Sequence, residues 1–430
     1  MRIYYVLTSL FMLFSVPLCA AEISTPALSG SASEPSAGLS LDVAISLALQ
    51  ANPELAIAIS ERDAVKGMQI QAATVPNPSL STYIEDTRSS TRQTTIEVSQ
   101  PFELGGKRAA RVAAADVRYA VASTLIELKR AEIRAATMKA FYEVLIAQEH
   151  MALSQSLLEL AQRVQSAASK RVKAGKISPV EEIKSKVAES TVKIELSQMA
   201  AQLATSRIKL SGFWGASLPR FSMVVGQLDL FPVVPQLAEL HARQESSPAI
   251  KLAKLEIEQR ESLVNIEDSK RTPDLTLSVG ARRNEELGLN QAIIGLSIPI
   301  PVYDRNQGNL QEALSRTNKA RDELLAIRVQ QGTLLSAAFE RYLVAKLEAN
   351  ILQADILPSA QSAYDSAVKG FEFGKFGFLD VLDAQRTLFY ARSQYLNALL
   401  NGHLAIADIN GIMGNAFNSG DTSITAPHQE

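Results

Sequence analysis

KRAARVAAADVRYAVASTLIELKRAEIRAATMKAFYEVLIAQEHMALSQSLLELAQRVQSAASKRVKA, residues 107–174, runs for 68 positions without a glycine or a proline. As one helix rising 1.5 Å per residue it would reach roughly 100 Å, which no compact domain can hold. A helical pattern this long predicts a coiled coil or a helical repeat. Alanine fills 17 of the 68 positions, which favours helix and lets backbones approach closely when helices lie side by side. A second stretch, residues 309–373, reads the same way but contains Gly332, Pro358 and Gly370. Kinks in a continuing helical layer are expected at those three positions.

Outward from this stretch, the chain repeats itself. Asn52-Pro53-Glu54-Leu55 recurs 195 positions later as Ser247-Pro248-Ala249-Ile250, and Pro78 recurs as Pro273. Gly175-Lys176 recurs as Gly374-Lys375, and Gly212-Phe213-Trp214-Gly215 as Gly411-Ile412-Met413-Gly414, both at 199. The expected division is a first repeat at 39–215, a connector at 216–233 and a second repeat at 234–414, with Pro219, Pro232 and Pro235 punctuating the join. Each repeat reads as a helix, two short strands and then long helices, so the fold class is mainly α with a small β part.

The strands alternate with period two. Leu275, Leu277, Val279 and Ala281 face away from Thr276, Ser278 and Gly280; Ala292, Ile294, Leu296 and Ile298 face away from Gln291, Gly295 and Ser297, with Ile293 breaking the polar side. Leu80, Thr82 and Ile84, then Ile96 and Val98, repeat this more weakly in the first half. Such alternation suits a sheet with one apolar face. The connecting loops, 86–93 and 282–290, are strongly polar. Strands of about nine to eleven residues can cross a bilayer when tilted, but in lipid no sheet edge stays unpaired. Four strands per chain therefore require copies to share a barrel. Eight strands fill their own interior, whereas twelve leave a lumen, so a homotrimer with a twelve-stranded barrel is the economical solution. The long helices of three copies would extend that barrel as a tunnel about 100 Å long.

Composition narrows the function. Apolar residues make up 47% and charged residues 20%, which excludes a disordered chain. The 43 basic and 45 acidic residues nearly cancel, without a run of one sign, so no nucleic acid is expected as a partner. The lone cysteine, Cys19, excludes an internal disulfide or thiolate metal site, and His150, His241, His403 and His428 lie far apart. Neither a catalytic metal nor any cofactor is implied. Residues 1–20 carry Arg2, an apolar run through Leu10–Phe14 and small residues at Ala20 and Ala21, the pattern of a cleaved signal peptide. The alternatives are an uncleaved anchor and acylation of Cys19, against which bulky Leu18 stands. The Ser-, Pro- and Gly-rich segment 21–38 reads as a flexible lead-in and 415–430 as a polar tail.

Ser99-Gln100-Pro101-Phe102-Glu103-Leu104-Gly105-Gly106-Lys107-Arg108 and Ile298-Pro299-Ile300-Pro301-Val302-Tyr303-Asp304-Arg305-Asn306-Gln307-Gly308-Asn309 resemble stretches of the TolC-like outer-membrane efflux channels, in their CzcC-type heavy-metal branch. The resemblance covers nearly the whole mature chain. It implies a homotrimer in outer-membrane lipid with an α-helical periplasmic barrel, docked to a periplasmic adaptor (membrane fusion protein) and an inner-membrane pump of the resistance-nodulation-division type. Read directly, both stretches turn a strand into a long helix: Pro101, Pro299 and Pro301 stop ladder donation, while Gly105, Gly106 and Gly308 permit a reversal of twist. That role is structural.

The candidate working parts are the far helical turns, Gly175, Lys176, Ser178 and Pro179, and Gly374, Lys375 and Gly377. Glycine stops one helix and Ser178-Pro179 starts the next. A plain helix–turn–helix explains these residues too; the resemblance implies that they meet the adaptor. Asp380 and Asp383, spaced i and i+3, share one helix face. The resemblance matches them to aspartates lining a closed periplasmic mouth, where threefold symmetry would place six carboxylates that attract and bind cations. Alternatively they only complement the helix dipole. Their first-half counterparts are Glu181 and Lys184, so a second acidic ring is not evident. The expected function is a passive exit duct for divalent heavy metals, without catalysis. Channels for drug efflux or type I protein secretion remain alternatives, as does a periplasmic coiled-coil adaptor or scaffold.

Overall fold

The computed structural model describes residue 34 and residues 38–414, so the expected leader, nearly all of the lead-in and the tail lie outside the described residues. In chain order the elements are α1 (Leu41–Ala51), α2 (Pro53–Ala72), β1 (Ser79–Glu85), β2 (Gln93–Phe102), α3 (Lys107–Lys173) and α4 (Pro179–Gly212). After the connector come α5 (Leu237–Arg243), α6 (Pro248–Ser269), β3 (Leu275–Asn284), β4 (Leu289–Ser297), α7 (Gln307–Ile351), a π-helical turn (Leu352–Ile356), α8 (Leu357–Glu372) and α9 (Phe378–Met413).

The glycine-free stretch forms one helix of 67 residues. The helices that bracket it start on side-chain caps, because the first backbone N–H groups of a helix have no partner within it. Asn52 Oδ1 accepts the N–H groups of Glu54 and Leu55 at 2.9 and 3.3 Å, while its amide donates to Phe213 O at 2.8 Å. Ser247 caps α6 with Pro248 at the first helical position. Side by side run α2, α3, α6 and α7, with α9 packed on α3 and α7. Their core centres on Phe141, Val144, Leu335, Ala338, Ile406 and Ile409, all nearly inaccessible. Asp408 of α9 pairs with Lys139 of α3 and, at 2.9 Å, with Arg341 of α7, so one carboxylate staples three helices.

The four strands form one antiparallel sheet in the order β1-β2-β3-β4. Registration carries alternation across all of them. Leu80, Val98, Val279 and Ile294 form one row, and Thr82, Ile96, Ala281 and Ala292 the next. On the opposite face, rows of Ser81, Glu97, Gly280 and Ile293 and of Ser79, Ser99, Ser278 and Gly295 are polar apart from Ile293. Ile294 is 80% exposed and Leu80 72% exposed, an arrangement that water disfavours. Among the described residues β1 pairs only with β2 and β4 only with β3, leaving two open edges.

Two expectations are met only in part. Gly332 lies inside unbroken α7 and Gly370 inside α8; of the three expected kinks, only the one near Pro358 coincides with an irregularity, the π-helical turn just before it. Proline lacks the N–H that an α-helix needs there, so a wider turn absorbs the mismatch. Gly370 serves clearance instead: a Cβ there would sit 2.1 Å from the Phe376 ring. The second polar loop is also shorter than expected, since 282–284 continue β3 and 289–290 begin β4. Arg282 stays in the ladder because its guanidinium donates to Thr95 Oγ1 at 3.1 Å across the polar face.

Candidate functional site

Two turns at the far end of the long helices hold the candidate residues. At the first, Gly175 adopts φ 68°, its N–H donates to Val172 O at 2.9 Å, and that of Lys176 to Arg171 O at 2.9 Å. This left-handed stop suits glycine, which has no Cβ to clash. Ser178 Oγ accepts the Val180 N–H at 3.3 Å and Pro179 takes the first helical position. The second turn follows the same geometry: Gly374 has φ 74°, and Lys375 N donates to Gly370 O at 2.8 Å. Gly377 caps α9, and its N–H donates to Asp380 Oδ2 at 2.8 Å.

Asp380 therefore does capping work, which the dipole argument anticipates. Asp383, one turn on, is exposed, and its carboxylate has no ion-pair partner among the described residues. Between them Val381 is buried against Ala367 and Phe371, with Val164, Ala167 and Tyr364 around it. That cluster fixes the start of α9 onto α3 and α8, and so fixes the two carboxylates relative to both turns.

Arg171 was not among the sequence-derived candidates, yet it joins the turns. From the last turn of α3 its guanidinium lies 4.5 Å from the centre of the Phe371 ring, an attractive cation–aromatic geometry. A Cβ on Gly374 would come within 3.4 Å of its Nη2. A cavity of about 640 Å³ opens beside it, lined by Leu160, Arg163, Lys170, Tyr364 and Val368 among others. The only sequence sign was the basic cluster Lys170, Arg171 and Lys173 closing α3, which reads equally as dipole complementation.

The strand-to-helix candidates sit at the opposite end of α3 and α7. Pro101 pairs with Thr276, beyond Ser99, the last β2 residue that β1 reaches. Gly105 and Gly106 have φ of 70° and 75°. Asp274 accepts the Leu104 N–H at 3.1 Å and Lys107 Nζ at 2.7 Å, tying this handover to the second hairpin. Pro299 and Pro301 follow β4 in an exposed, irregular segment. Gly308 departs from its assigned role: it lies in the first turn of α7, and Asn306, at φ 58°, makes the left-handed step. Asparagine tolerates that region because its side chain can bond locally. Here its Nδ2 donates to Glu267 O and Oε2 at 2.8 and 2.7 Å.

An amphipathic sheet with two open edges, mounted on helices of up to 67 residues, defines a subunit of a barrel-forming channel. The chain belongs to the Outer membrane efflux protein family, whose profile matches residues 44–216 and 240–415. It is 43% identical over 376 residues to the cobalt-zinc-cadmium resistance protein CzcC of Cupriavidus metallidurans, covering 87% of this chain and 90% of that protein. Among solved structures, a membrane protein from Pseudomonas aeruginosa superposes with a TM-score of 0.76 at 17% identity, covering 90% of this chain and 92% of the other. CusC does so with a TM-score of 0.73 at 17% identity, covering 87% and 92%. The fold is TolC-like and the protein's place is the outer membrane.

Proposed function

We propose that the chain is the exit duct of a tripartite efflux system for divalent heavy-metal cations, a homotrimer joined to a periplasmic adaptor and a resistance-nodulation-division pump. The observation that carries the duct is the sheet: apolar rows on one face, polar rows on the other, and both edges unpaired. Joining β4 of one copy to β1 of the next satisfies every edge and turns the apolar rows toward lipid. The helices support the same closure. Ile57 and Ile70 on α2 and Val329 and Leu347 on α7, at the two ends of the α2-α3-α6-α7 row, are all exposed. The chain supplies no energy in this reading; it conducts what the pump delivers. The same order of helix, hairpin and long helices on either side of the connector supports a duplicated origin for 39–215 and 234–414.

The cargo rests on the 43% identical relative, a cobalt-zinc-cadmium resistance protein. Deleting the gene is expected to sensitise cells to cobalt, zinc and cadmium salts while leaving drug tolerance intact. Sensitivity to drugs alone would overturn the metal assignment, and no sensitivity to either would overturn efflux.

The two turns form the adaptor-facing end, and Asp380 and Asp383 line its mouth. Three copies would concentrate six carboxylates there, enough to hold a divalent cation. Asp380→Asn combined with Asp383→Asn should weaken block of single-channel current by divalent cations. The substituted amide at 380 can still accept the Gly377 N–H, so the cap persists while the charge goes. Unaltered block would remove both residues from the gate.

A further inference from the structure

We propose that His403 is an acid-released clasp that fastens the connector to α3 and α9, the helices leading to the two turns. The imidazole is fully buried. Its Nε2 lies 2.9 Å from Leu228 O in the connector, and a carbonyl can only accept, so Nε2 carries the proton. Nδ1 is then a bare lone pair, buried with no hydrogen-bond partner among the described residues. The ring stacks on Tyr142 of α3, centroids 3.8 Å apart and planes 11° from parallel, with Phe231 of the connector at 5.1 Å. Phe231 in turn presses on α9: a Cβ at Gly402 would meet its ring at 2.3 Å. Connector and helices are thus in close contact, and His403 supplies the polar tie among these aromatic rings.

A second proton would put an N–H donor at Nδ1 with nothing to receive it. Of the titratable groups on the surrounding elements, Asp42 in the first turn of α1 is exposed and acts electrostatically on Tyr142, and His150 of α3 is itself held below the ordinary imidazole value by burial. Asp229 in the connector accepts the Tyr395 hydroxyl of α9 at 2.9 Å, and Asp408 is held by Lys139 and Arg341. Tyr142 of α3 faces the ring, Tyr342 of α7 stands edge-on to Phe231, and Lys346 lies against the Tyr342 ring. Burial accordingly holds His403 below the ordinary imidazole value.

The sign follows from proton counting. The fastened connector excludes a proton that a released one admits, so the clasp is fully effective above the ordinary imidazole pKa of about 6.5 and weakens as the pH falls below it. The opening equilibrium gains up to about tenfold per pH unit until the buried ring itself titrates. Only the consequence, a looser hold on the helices of an efflux duct in acid, depends on the function proposed above.

Hydrogen–deuterium exchange of the full-length trimer in nanodiscs, corrected for intrinsic rates, tests the clasp between about pH 7.5 and 5. Protection of amides at 224–231 should fall with pH in the wild type, by up to tenfold per unit. It should stay level in His403→Gln, whose amide nitrogen can still reach Leu228 O. Asp229→Asn should keep the wild-type slope. A level wild-type profile, a slope retained in His403→Gln, or a slope lost in Asp229→Asn would each overturn the proposal, and the wild-type and Asp229→Asn measurements decide it even if the glutamine variant fails to fold. None of these outcomes depends on cargo, so failure here is distinguishable from failure of the efflux reading.

Discussion

Val279→Arg is expected to abolish assembly in the outer membrane. Val279 sits mid-strand in β3, in the row Leu80, Val98, Val279 and Ile294 that spans the whole sheet, and its side chain is 55% exposed in the single chain. An arginine on the lipid face near the bilayer midplane costs roughly 2–4 kcal/mol. A trimer incurs it three times, against a net stability on the order of 5–15 kcal/mol for a typical folded domain. The neighbouring Ser278→Arg should assemble, because Ser278 lies on the polar face, where Ser99 Oγ is 2.8 Å away and Glu97 stands beside it. A lumen-facing arginine would alter conductance without blocking insertion. Membrane fractionation and semi-native gels read both variants. If Val279→Arg assembled as well as wild type, or Ser278→Arg failed as completely, the apolar rows would not face lipid.

The sequence made the largest elements legible because they depend on local physics. A run without glycine or proline can only be helix at that length, and α3 fills it nearly end to end. Alternation with period two identified both hairpins, and even the faces of β3 and β4. The registration of β2 with β3 was not legible, since Val98 and Val279 are far apart in the chain and nothing local pairs them. Long-range contact explains the other misses. Asn306 takes the left-handed step expected near Gly308 because Glu267, 39 residues earlier, fixes its side chain. Gly370 looked like a helix breaker and is a seat for the Phe376 ring. Arg171 showed only as one of three basic residues closing α3, because its partner Phe371 comes from the other half of the chain. His403 was visible only as one of four scattered histidines, and its burial under the connector could not be read from spacing.

The three glycines that read alike in sequence should separate sharply on substitution, and Gly105→Val should be the most damaging. At Gly105 two penalties coincide. Its φ of 70° places a β-branched residue in the left-handed region, at a cost of order 1–3 kcal/mol. A Cβ there would also lie 2.5 Å from Thr272 Cβ and 2.9 Å from Ser269 O, and overpacking of that kind typically adds about 1–3 kcal/mol. The contact with Ser269 is to backbone at the end of α6, so relief requires moving a helix relative to the β2–α3 handover that Asp274 ties together. Gly106 has φ 75° but open space around it, so Gly106→Ala should bear the conformational cost alone, about 1–2 kcal/mol. Gly308 lies in the first turn of α7 outside the left-handed region and nothing crowds it. Gly308→Ala should be neutral or stabilising by roughly 0.5–1 kcal/mol. Thermal dissociation of the trimer should therefore rank Gly308→Ala at or above wild type, then Gly106→Ala, then Gly105→Val, with tolerance of cobalt and zinc salts following the same order. A Gly105→Val protein as heat-resistant as Gly308→Ala would mean that the strand meets the helix with room to spare, and the tight passage inferred between the two hairpins would have to be abandoned.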